Sequence, residues 1–456
     1  MKTILIIGAG KSTSVLISYL HKQSFAMDFQ IQIADKDVAP VQKIAGSLER
    51  CQITSLDIFN EIQRRALITK ATIVISMLPA RFHIIIAKDC LNLKKHLITA
   101  SYVSPEMQAL HKDAVKNNLL FLNEMGVDPG IDHMSAMQII DQIREQGGKM
   151  LLFESFTGGL IAPENDTNLW NYKFTWNPRN VVLAGQGGAA EFIQEGTYKY
   201  IPYHKLFRRT EFLHIEGYGK FEAYANRNSL HYREKYGLDN ILTLYRGTMR
   251  RIGFSKAWNI FVQLGMTADN YQLHHSEDMS YRDFVNLFLA YSPTDSVELK
   301  LRHYLKIDQD DNIWDKLLEL DIFSATKKIG IKNATPAQAL QKILEDTWTL
   351  QDHEKDMIVM YHKFGYELNG QKKQKDATMV CVGKNATETA MAKTVGLPVG
   401  IAALQILKNK LQLSGVHIPI NKEIYESVLN ELKKHDIVFN EKESLYLGYN
   451  PNGVQG

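Results

Sequence analysis

The chain has 456 residues, of which 45% are hydrophobic and 23% are charged, and this length predicts about three domains with sizeable cores. The 53 lysines and arginines exceed the 50 aspartates and glutamates only slightly, so the net charge of +3 gives no support for nucleic acid or an anionic membrane as a partner. Only three cysteines are present, without a CxxC pair, which excludes a disulfide framework, argues against a thiolate zinc site and predicts a cytoplasmic protein.

Short apolar runs alternate with helix-length segments through roughly the first quarter of the chain. The runs lie at residues 4–7, 31–34, 52–53, 73–78, 97–100 and 119–122. Near-continuous apolar strands that alternate with helices indicate a parallel sheet covered on both faces. Six such strands predict a complete doubly wound α/β domain, the Rossmann architecture, at the N-terminus.

The composition changes near residues 150, 255 and 350, which indicates further domains. The predicted elements are strands at 151–156, 357–368 and 377–382, and helices at 283–289, 296–305, 312–320, 386–394 and 400–411. Asn369-Gly370 is a hairpin signal, although the polar residues 371–376 predict a longer loop. The apolar stretch at 395–407 is interrupted by glycine and proline and is too short to span a bilayer.

A glycine-rich loop follows the first predicted strand. Gly8 and Gly10 match the first two glycines of the dinucleotide fingerprint, and Thr13 replaces the third. Gly10 would let the backbone approach a pyrophosphate at the start of the following helix. The string Gly10-Lys11-Ser12 resembles the end of a nucleotide-binding P-loop, but Leu5 stands where that motif needs another glycine. The loop therefore predicts dinucleotide binding.

The end of the second predicted strand bears on which dinucleotide is bound. Asp35 is placed to accept hydrogen bonds from ribose hydroxyls and to repel a 2′-phosphate, which favours NAD. The adjacent Lys36 could instead serve a phosphate, so NADP stays open. Asp35 could also simply begin a turn.

Three loops follow later strands of the predicted sheet, where ligands bind in doubly wound folds. They span residues 76–83, 101–105 and 123–133. The third loop carries four titratable residues, and such groups on a stiff loop suit a catalytic site; they are Glu124, Asp128, Asp132 and His133. Turn and helix-capping roles are the alternatives, and no second histidine at ligand spacing supports a metal, so no metal site is predicted.

Several long strings in these segments and beyond resemble the saccharopine dehydrogenases of the glutamate-forming type, also called saccharopine reductases. The matching strings lie at residues 101–105, 123–133, 158–164, 172–174, 226–229, 246–250, 253–254, 391–393 and 395–396. They keep their order over essentially the whole chain, which makes the resemblance far more specific than the glycine loop alone.

The resemblance implies a domain arrangement. It consists of a Rossmann domain at residues 1–130, a second α/β domain with a mixed sheet at 131–255 and 351–385, and a smaller helical domain at 256–350. The helices of residues 386–456 would return to the Rossmann domain. Members oxidise saccharopine to glutamate and 2-aminoadipate 6-semialdehyde with NADP or NAD in lysine metabolism. The second domain would bind the small-molecule substrate and form a homodimer.

The resemblance also implies residue roles. Cofactor contacts would come from Gly8, Gly10, Lys11, Asp35, Lys36, Asp57, Leu78, Ala100, Ser101, Val127 and Pro129, and substrate contacts from Ser101, Tyr102, Asp128, Arg227, Arg246 and Thr248. Asp128 and Tyr102 are the predicted catalytic pair. Fungal relatives have a cysteine where Thr157 stands, and an arginine suited to NADP where Asp35 and Lys36 stand.

A tricarboxylate substrate also favours arginine from chemistry alone, because the forked guanidinium suits carboxylates. Arg227 and Arg246 are the first candidates and Arg179 is the third, with surface ion pairs as the alternative. Carboxynorspermidine dehydrogenase and lysine 6-dehydrogenase are competing enzyme hypotheses on the same frame. A non-catalytic dinucleotide-binding protein is the third.

Overall fold

Two compact units make up the chain, for which the computed structural model describes residues 1–448 and the backbone of residues 454–455. The first unit comprises Met1–Lys149 and Met379–Glu441, and the second comprises Met150–Thr378 and Lys442–Gly456.

Strands and helices alternate regularly in the first part of the chain and less regularly afterwards. The elements of the first part are β1 (Lys2–Ile7), α1 (Ser14–Met27), β2 (Phe29–Asp35), α2 (Val38–Ala45), β3 (Cys51–Ser55), α3 (Glu61–Lys70), β4 (Ile73–Ser76), α4 (His83–Asn92), β5 (His96–Thr99), α5 (Pro105–Ala109), α6 (His111–Lys116), β6 (Leu120–Leu122) and α7 (Ile131–Glu145). The middle part contains β7 (Lys149–Ile161), α8 (Pro178–Val182), β8 (Ala190–Gln194), β9 (Thr197–Ile201), α9 (Tyr203–Leu206), β10 (Thr210–Ile215), β11 (Gly219–Ala225), β12 (Thr243–Arg251), α10 (Phe254–Leu264), α11 (Tyr281–Asn286), α12 (Val297–Leu305), α13 (Asn312–Glu319), α14 (Pro336–Trp348), β13 (Asp356–Leu368) and β14 (Gln371–Val382). The last part contains α15 (Ala390–Leu407), β15 (Gly415–His417), α16 (Lys422–Lys433), β16 (Asn440–Leu445) and β17 (Val454–Gln455).

A parallel sheet of the order β15-β6-β5-β4-β1-β2-β3 forms the core of the first unit, and it confirms the predicted Rossmann architecture. Ile4 of β1 lies between Ile31 and Ile73 of its neighbours, and all three side chains are fully buried. The sheet has seven strands rather than the six predicted. The added strand β15 has only three residues and no apolar run, so its pattern gave no signal.

Helix α15 is a single helix, whereas the sequence predicted two, because Gly396 and Pro398 read as breaks. A Cβ atom on Gly396 would lie 2.8 Å from the Leu16 backbone nitrogen, so the glycine permits close packing of α15 on α1. Tertiary packing here outweighs the local cost of Pro398. Among the described residues α15 alone is long and apolar enough to cross a membrane, and 83% of it is buried inside the protein, as in a core helix.

Helices α7 and α16 pack together within the first unit. The Tyr425 hydroxyl of α16 donates a hydrogen bond of 2.8 Å to Asp141 of α7. The unit therefore continues to Lys149, beyond the boundary predicted at residue 130.

A mixed sheet forms the core of the second unit in the order β16-β14-β13-β7-β12-β11-β10-β17, with β8 and β9 branching from β12. Strand β12 is parallel to β7 and antiparallel to β11. The longer loop predicted at 371–376 is wrong, because β14 begins at Gln371. Asn369 and Gly370 have φ values of 52° and 75°, as a two-residue hairpin turn requires.

The helices from α10 to α14 belong to the second unit rather than to a separate compact body. Trp258 of α10 and Trp348 of α14 have ring centroids 6.0 Å apart, and Trp170 lies 5.2 Å from Trp348. All three rings are buried in one aromatic cluster, which joins these helices to the segment that follows β7.

Candidate active site

The glycine-rich loop lies between β1 and α1. Gly8 has a φ of 90°, and a Cβ atom there would lie 2.9 Å from the Met77 carbonyl carbon, so glycine is required. Nothing lies within 4 Å of a Cβ atom built on Gly10. In the described part of the chain, no group accepts a hydrogen bond from the amides of Gly10, Lys11 or Ser12. An open cradle with unpaired amides at a helix N-terminus fits a dinucleotide pyrophosphate.

Asp35, at the end of β2, holds the glycine loop in place. One carboxylate oxygen accepts the Ala9 amide at 2.6 Å, and the other accepts the Asp37 amide at 2.9 Å. Both oxygens of the group expected to bind ribose hydroxyls thus already have backbone partners. The Lys36 ammonium is largely exposed and lies 4.0 Å from the Asp57 carboxylate, so an exposed cation follows β2 directly after Asp35.

The ends of β4 and β5 are joined by a histidine that the sequence reasoning missed. His83 Nδ1 lies 2.8 Å from Ser76 Oγ, and His83 Nε2 lies 2.8 Å from Ser101 Oγ. Burial lowers the pKa of His83 to about 4, so the ring is neutral near pH 7. Its only sequence signal was its place at the end of the predicted loop 76–83.

The loop after β6 is organised by buried charges. Glu124 has a φ of 58° and accepts the Val103 amide at 3.1 Å through one oxygen. Its other oxygen lies 2.8 Å from His133 Nε2, and Asp132 accepts the Gly130 amide at 2.6 Å. All of these side chains are nearly fully buried. Within the described residues no group of three His, Cys, Asp or Glu side chains could hold a metal ion, and these residues are placed to support the loop.

Asp128 and Tyr102, the predicted catalytic pair, come together at the same edge of the sheet. The Tyr102 hydroxyl donates to Asp128 Oδ1 at 3.3 Å, and both side chains reach solvent. The peptide bond between Asp128 and Pro129 is cis. A proton donor and a carboxylate in contact at the carboxyl end of a parallel sheet can exchange a proton with a bound ligand. Of the remaining predicted cofactor contacts, Leu78 follows β4, Ala100 follows β5 and Val127 follows β6.

One face of the second unit's sheet collects the predicted substrate residues. Arg246 and Thr248 are two apart on β12 and therefore share a face, which Arg250 joins. The register places Thr157 of β7 beside Thr248. The Arg246 guanidinium lies 4.6 Å from the centre of the Tyr232 ring.

Arg250 is a buried cation that the sequence reasoning did not single out. Its guanidinium lies 4.9 Å from the Tyr172 ring and 5.3 Å from the Phe254 ring, and one nitrogen donates to the Met249 carbonyl at 2.8 Å. Its Nε has no hydrogen-bond partner in the described part of the chain, which also offers it no carboxylate. A buried guanidinium in this state suits an anionic ligand.

The other predicted arginines lie outside this face. Arg227 follows β11 with a φ of 46°, and its side chain is exposed. Its carbonyl accepts the Glu191 amide at 2.9 Å. Arg179 forms an ion pair with Asp269, in agreement with the alternative considered for it.

A Rossmann unit with a pyrophosphate cradle and a proton-transfer pair at one sheet edge defines a dinucleotide-dependent oxidoreductase. Comparison with known families then identifies which one. The chain belongs to the saccharopine dehydrogenase family: residues 4–122 match the saccharopine dehydrogenase NADP binding domain, and residues 126–438 match the saccharopine dehydrogenase C-terminal domain. The predicted resemblance is thereby confirmed, as is an NADP-binding first unit.

Individual relatives match over nearly the whole of this chain. The chain is 30% identical to saccharopine dehydrogenase [NADP(+), L-glutamate-forming] of Saccharomyces cerevisiae, over 97% of this chain and 99% of the relative. It is 30% identical to the mitochondrial alpha-aminoadipic semialdehyde synthase of Rattus norvegicus, over 98% of this chain but 48% of that longer protein. The apo structure of the L-Glu-forming Saccharomyces cerevisiae enzyme superposes with a TM-score of 0.86 at 29% identity, covering 97% of this chain and all of that one.

Proposed function

We propose that this protein catalyses the reversible oxidation of L-saccharopine to L-glutamate and 2-aminoadipate 6-semialdehyde, with NADP as the preferred cofactor, in lysine metabolism. The full-length match to the L-glutamate-forming saccharopine dehydrogenase of Saccharomyces cerevisiae carries this proposal. In the oxidative direction one water is consumed, a hydride (two electrons and a proton) would pass from saccharopine to the cofactor, and one further proton is released to solvent.

The first unit would hold the dinucleotide, whose nicotinamide supplies the hydride acceptor when it is bound. The amides of Gly10, Lys11 and Ser12 would bind the pyrophosphate, and the positive end of α1 would stabilise its charge. Lys36 is the proposed partner of a 2′-phosphate, because it follows β2 directly and both Asp35 oxygens already accept backbone amides, those of Ala9 and Asp37.

The pair of Asp128 and Tyr102 would manage the proton of the secondary amine. The amine must be neutral when hydride departs, because its lone pair forms the carbon–nitrogen double bond. The Asp128 carboxylate would accept that proton, and the Tyr102 hydroxyl would keep the carboxylate oriented. After water adds to the imine, the same pair would return a proton to the nitrogen as the carbon–nitrogen bond breaks.

Substrate carboxylates would be bound by the cationic face of β12 in the second unit. Saccharopine carries three carboxylates, and Arg246 and Arg250 supply two guanidinium groups on one face, with Thr248 between them in sequence. Arg227 remains a prediction for the third carboxylate. Thr157, where fungal relatives have a cysteine, offers a hydroxyl and no thiol chemistry, so none is proposed.

The purified protein would be tested by following reduced-cofactor absorbance with L-saccharopine and either NADP or NAD, with glutamate formation measured separately. Saccharopine-dependent reduction, faster with NADP, is the expected result. Activity on lysine or carboxynorspermidine instead of saccharopine would move the function to the related amine dehydrogenases. Cofactor binding without turnover of any of the three would favour a non-catalytic binding protein.

We propose further that the protein acts on a small-molecule substrate as a homodimer in the cytoplasm, without a nucleic-acid or membrane partner. The family resemblance supports the dimer, and the mild net charge of +3 agrees with the absence of polyanionic partners. No disulfide joins the three cysteines in the described chain, which suits a reducing compartment. Light scattering after size exclusion would test the dimer, and microscopy of a tagged chain would test the location.

A further inference from the structure

His83 connects the carboxyl ends of two adjacent parallel strands through two hydroxyl groups. Ser76 is the last residue of β4, Ser101 lies two residues beyond β5, and His83 begins α4. Both ring nitrogens are 2.8 Å from a serine Oγ. Because the neutral ring has one N–H and one bare nitrogen, one of the two serines must donate to it and the other must accept from it.

The surroundings of Ser76 decide which serine donates. Ser76 is fully buried, and in the described part of the chain its hydroxyl has His83 Nδ1 as its only hydrogen-bond partner. A buried hydroxyl hydrogen without an acceptor is costly, so Ser76 must donate to Nδ1. The proton of the ring then lies on Nε2, and that N–H donates to Ser101 Oγ.

This arrangement fixes the direction in which the Ser101 hydroxyl can form hydrogen bonds. Its oxygen is occupied as an acceptor by the His83 N–H, so its own hydrogen is available to another group. Ser101 is only half-buried, at the strand ends where the cofactor and substrate of a doubly wound fold bind. A hydroxyl presented in this way recognises an oxygen acceptor, preferably a charged one.

We propose that Ser76 and His83 form a hydrogen-bond relay that orients the Ser101 hydroxyl as a donor to an oxygen atom of the bound ligand. His83 is thus a positioning residue, and the choice of ligand rests on the proposed function. The acceptor belongs either to a carboxylate of the substrate or to an oxygen of the dinucleotide.

The tautomer can be measured on the intact wild-type protein, independently of activity. Nitrogen NMR of protein labelled with ¹⁵N-histidine, with His83→Gln used for assignment, should show a protonated Nε2 and a bare Nδ1 at neutral pH. A ring protonated on Nδ1, or on both nitrogens, would overturn the relay. This result stands even if the protein fails to oxidise saccharopine, which separates the relay from the proposed function.

Two conservative variants separate the two ends of the relay. The amide of His83→Gln reaches the place of Nε2 and can still donate to Ser101, whereas the shorter amide of His83→Asn reaches only the place of Nδ1. A lost hydrogen bond to a charged oxygen should cost His83→Asn about tenfold in affinity, and His83→Gln should stay within about threefold of wild type. NADPH fluorescence titration and the KM for saccharopine are measured for both variants.

The affected constant identifies the ligand. A higher KM for saccharopine with an unchanged NADPH Kd supports the relay and places the acceptor on the substrate. A higher NADPH Kd with an unchanged KM also supports the relay and places the acceptor on the dinucleotide. Ser101→Ala should reproduce the loss, and His83→Asn should add nothing in that background. A His83→Asn effect that persists undiminished with Ser101→Ala, or one absent from both constants, would refute the relay. Thermal unfolding of each variant controls for loss of fold.

Discussion

Replacing Gly10 by alanine should abolish tight cofactor binding while leaving the fold intact. A Cβ atom at this position has nothing within 4 Å, and the backbone conformation is one that alanine adopts without strain. The free energy of unfolding should therefore change by no more than about 0.5 kcal/mol. The added methyl group would, however, occupy the open cradle where the pyrophosphate approaches the backbone.

The size of the binding loss follows from the unpaired amides around Gly10. A hydrogen bond to a charged group contributes about 1.5 to 3 kcal/mol, so displacing the phosphate from one of these amides should raise the NADPH Kd about 10- to 100-fold. Fluorescence titration of NADPH measures the Kd, and urea unfolding of the unliganded protein measures stability.

Gly8→Ala is the matched comparison, because alanine at this position should disturb the fold of the loop itself rather than the space left for the ligand. A φ of 90° and a Cβ atom 2.9 Å from the Met77 backbone should together cost about 3 kcal/mol of stability. Unchanged NADPH affinity in a stable Gly10→Ala variant would refute the assignment of this loop as the pyrophosphate site.

Three further outcomes are expected. Asp128→Asn should lower the turnover of saccharopine about 100-fold with NADPH affinity unchanged, and wild-type turnover would rule out proton transfer by this carboxylate. His83 has a pKa of about 4 in the folded protein, below its value in the unfolded chain. The contribution of the neutral ring to stability is therefore complete above the unfolded pKa and declines as the pH falls from the unfolded pKa to the folded pKa. The free energy of unfolding, measured with urea, should therefore fall between about pH 7 and about pH 5 by about 2 kcal/mol more in wild type than in His83→Gln. Equal decreases in the two proteins would contradict burial of a neutral ring. Glu211 of β10 and Glu154 of β7 are both nearly fully buried. Burial and the charge of Glu154 raise the pKa of Glu211, so the contribution of Glu211 to stability is complete below its unfolded pKa and is lost as the pH rises. Glu211→Gln should remove this loss in unfolding measured from about pH 5 to about pH 9, and a loss equal to that of wild type would contradict it.

Local patterns predicted the parallel sheet and the glycine loop, because each follows from strand periodicity or from the rule that ligands meet strand ends. The pair of Asp128 and Tyr102 was predicted from the family resemblance instead. The roles of Asp35 and His83 could not be predicted in this way. Asp35 binds an amide 26 positions earlier in the chain, and His83 gains its meaning from a serine 18 positions later. These contacts depend on the conformation of the loops between strands, which residue types alone do not indicate.

Arg250 and β15 illustrate two other reasons why features of the structure could not be predicted from the sequence. A buried guanidinium between aromatic rings looks in sequence like any basic residue at a strand end, and only packing distinguishes it. Strand β15 has three residues and pairs with β6 across nearly 300 positions of intervening chain, too far for local periodicity to register.

The close packing of α15 on α1 has a consequence for synthesis. The dinucleotide unit is assembled from both ends of the chain, and its helix α15 and edge strand β15 emerge from the ribosome only after all of Met150–Thr378. Domains fold as units during vectorial synthesis. Most of the second unit can therefore fold before α15 has been made, although β16 and β17 join its sheet later, and the α1 surface around Leu16 stays uncovered until α15 emerges. Chaperone demand during translation should thus concentrate on the amino-terminal segment, and the cofactor-binding unit should be completed only after α15 and β15 have been synthesised.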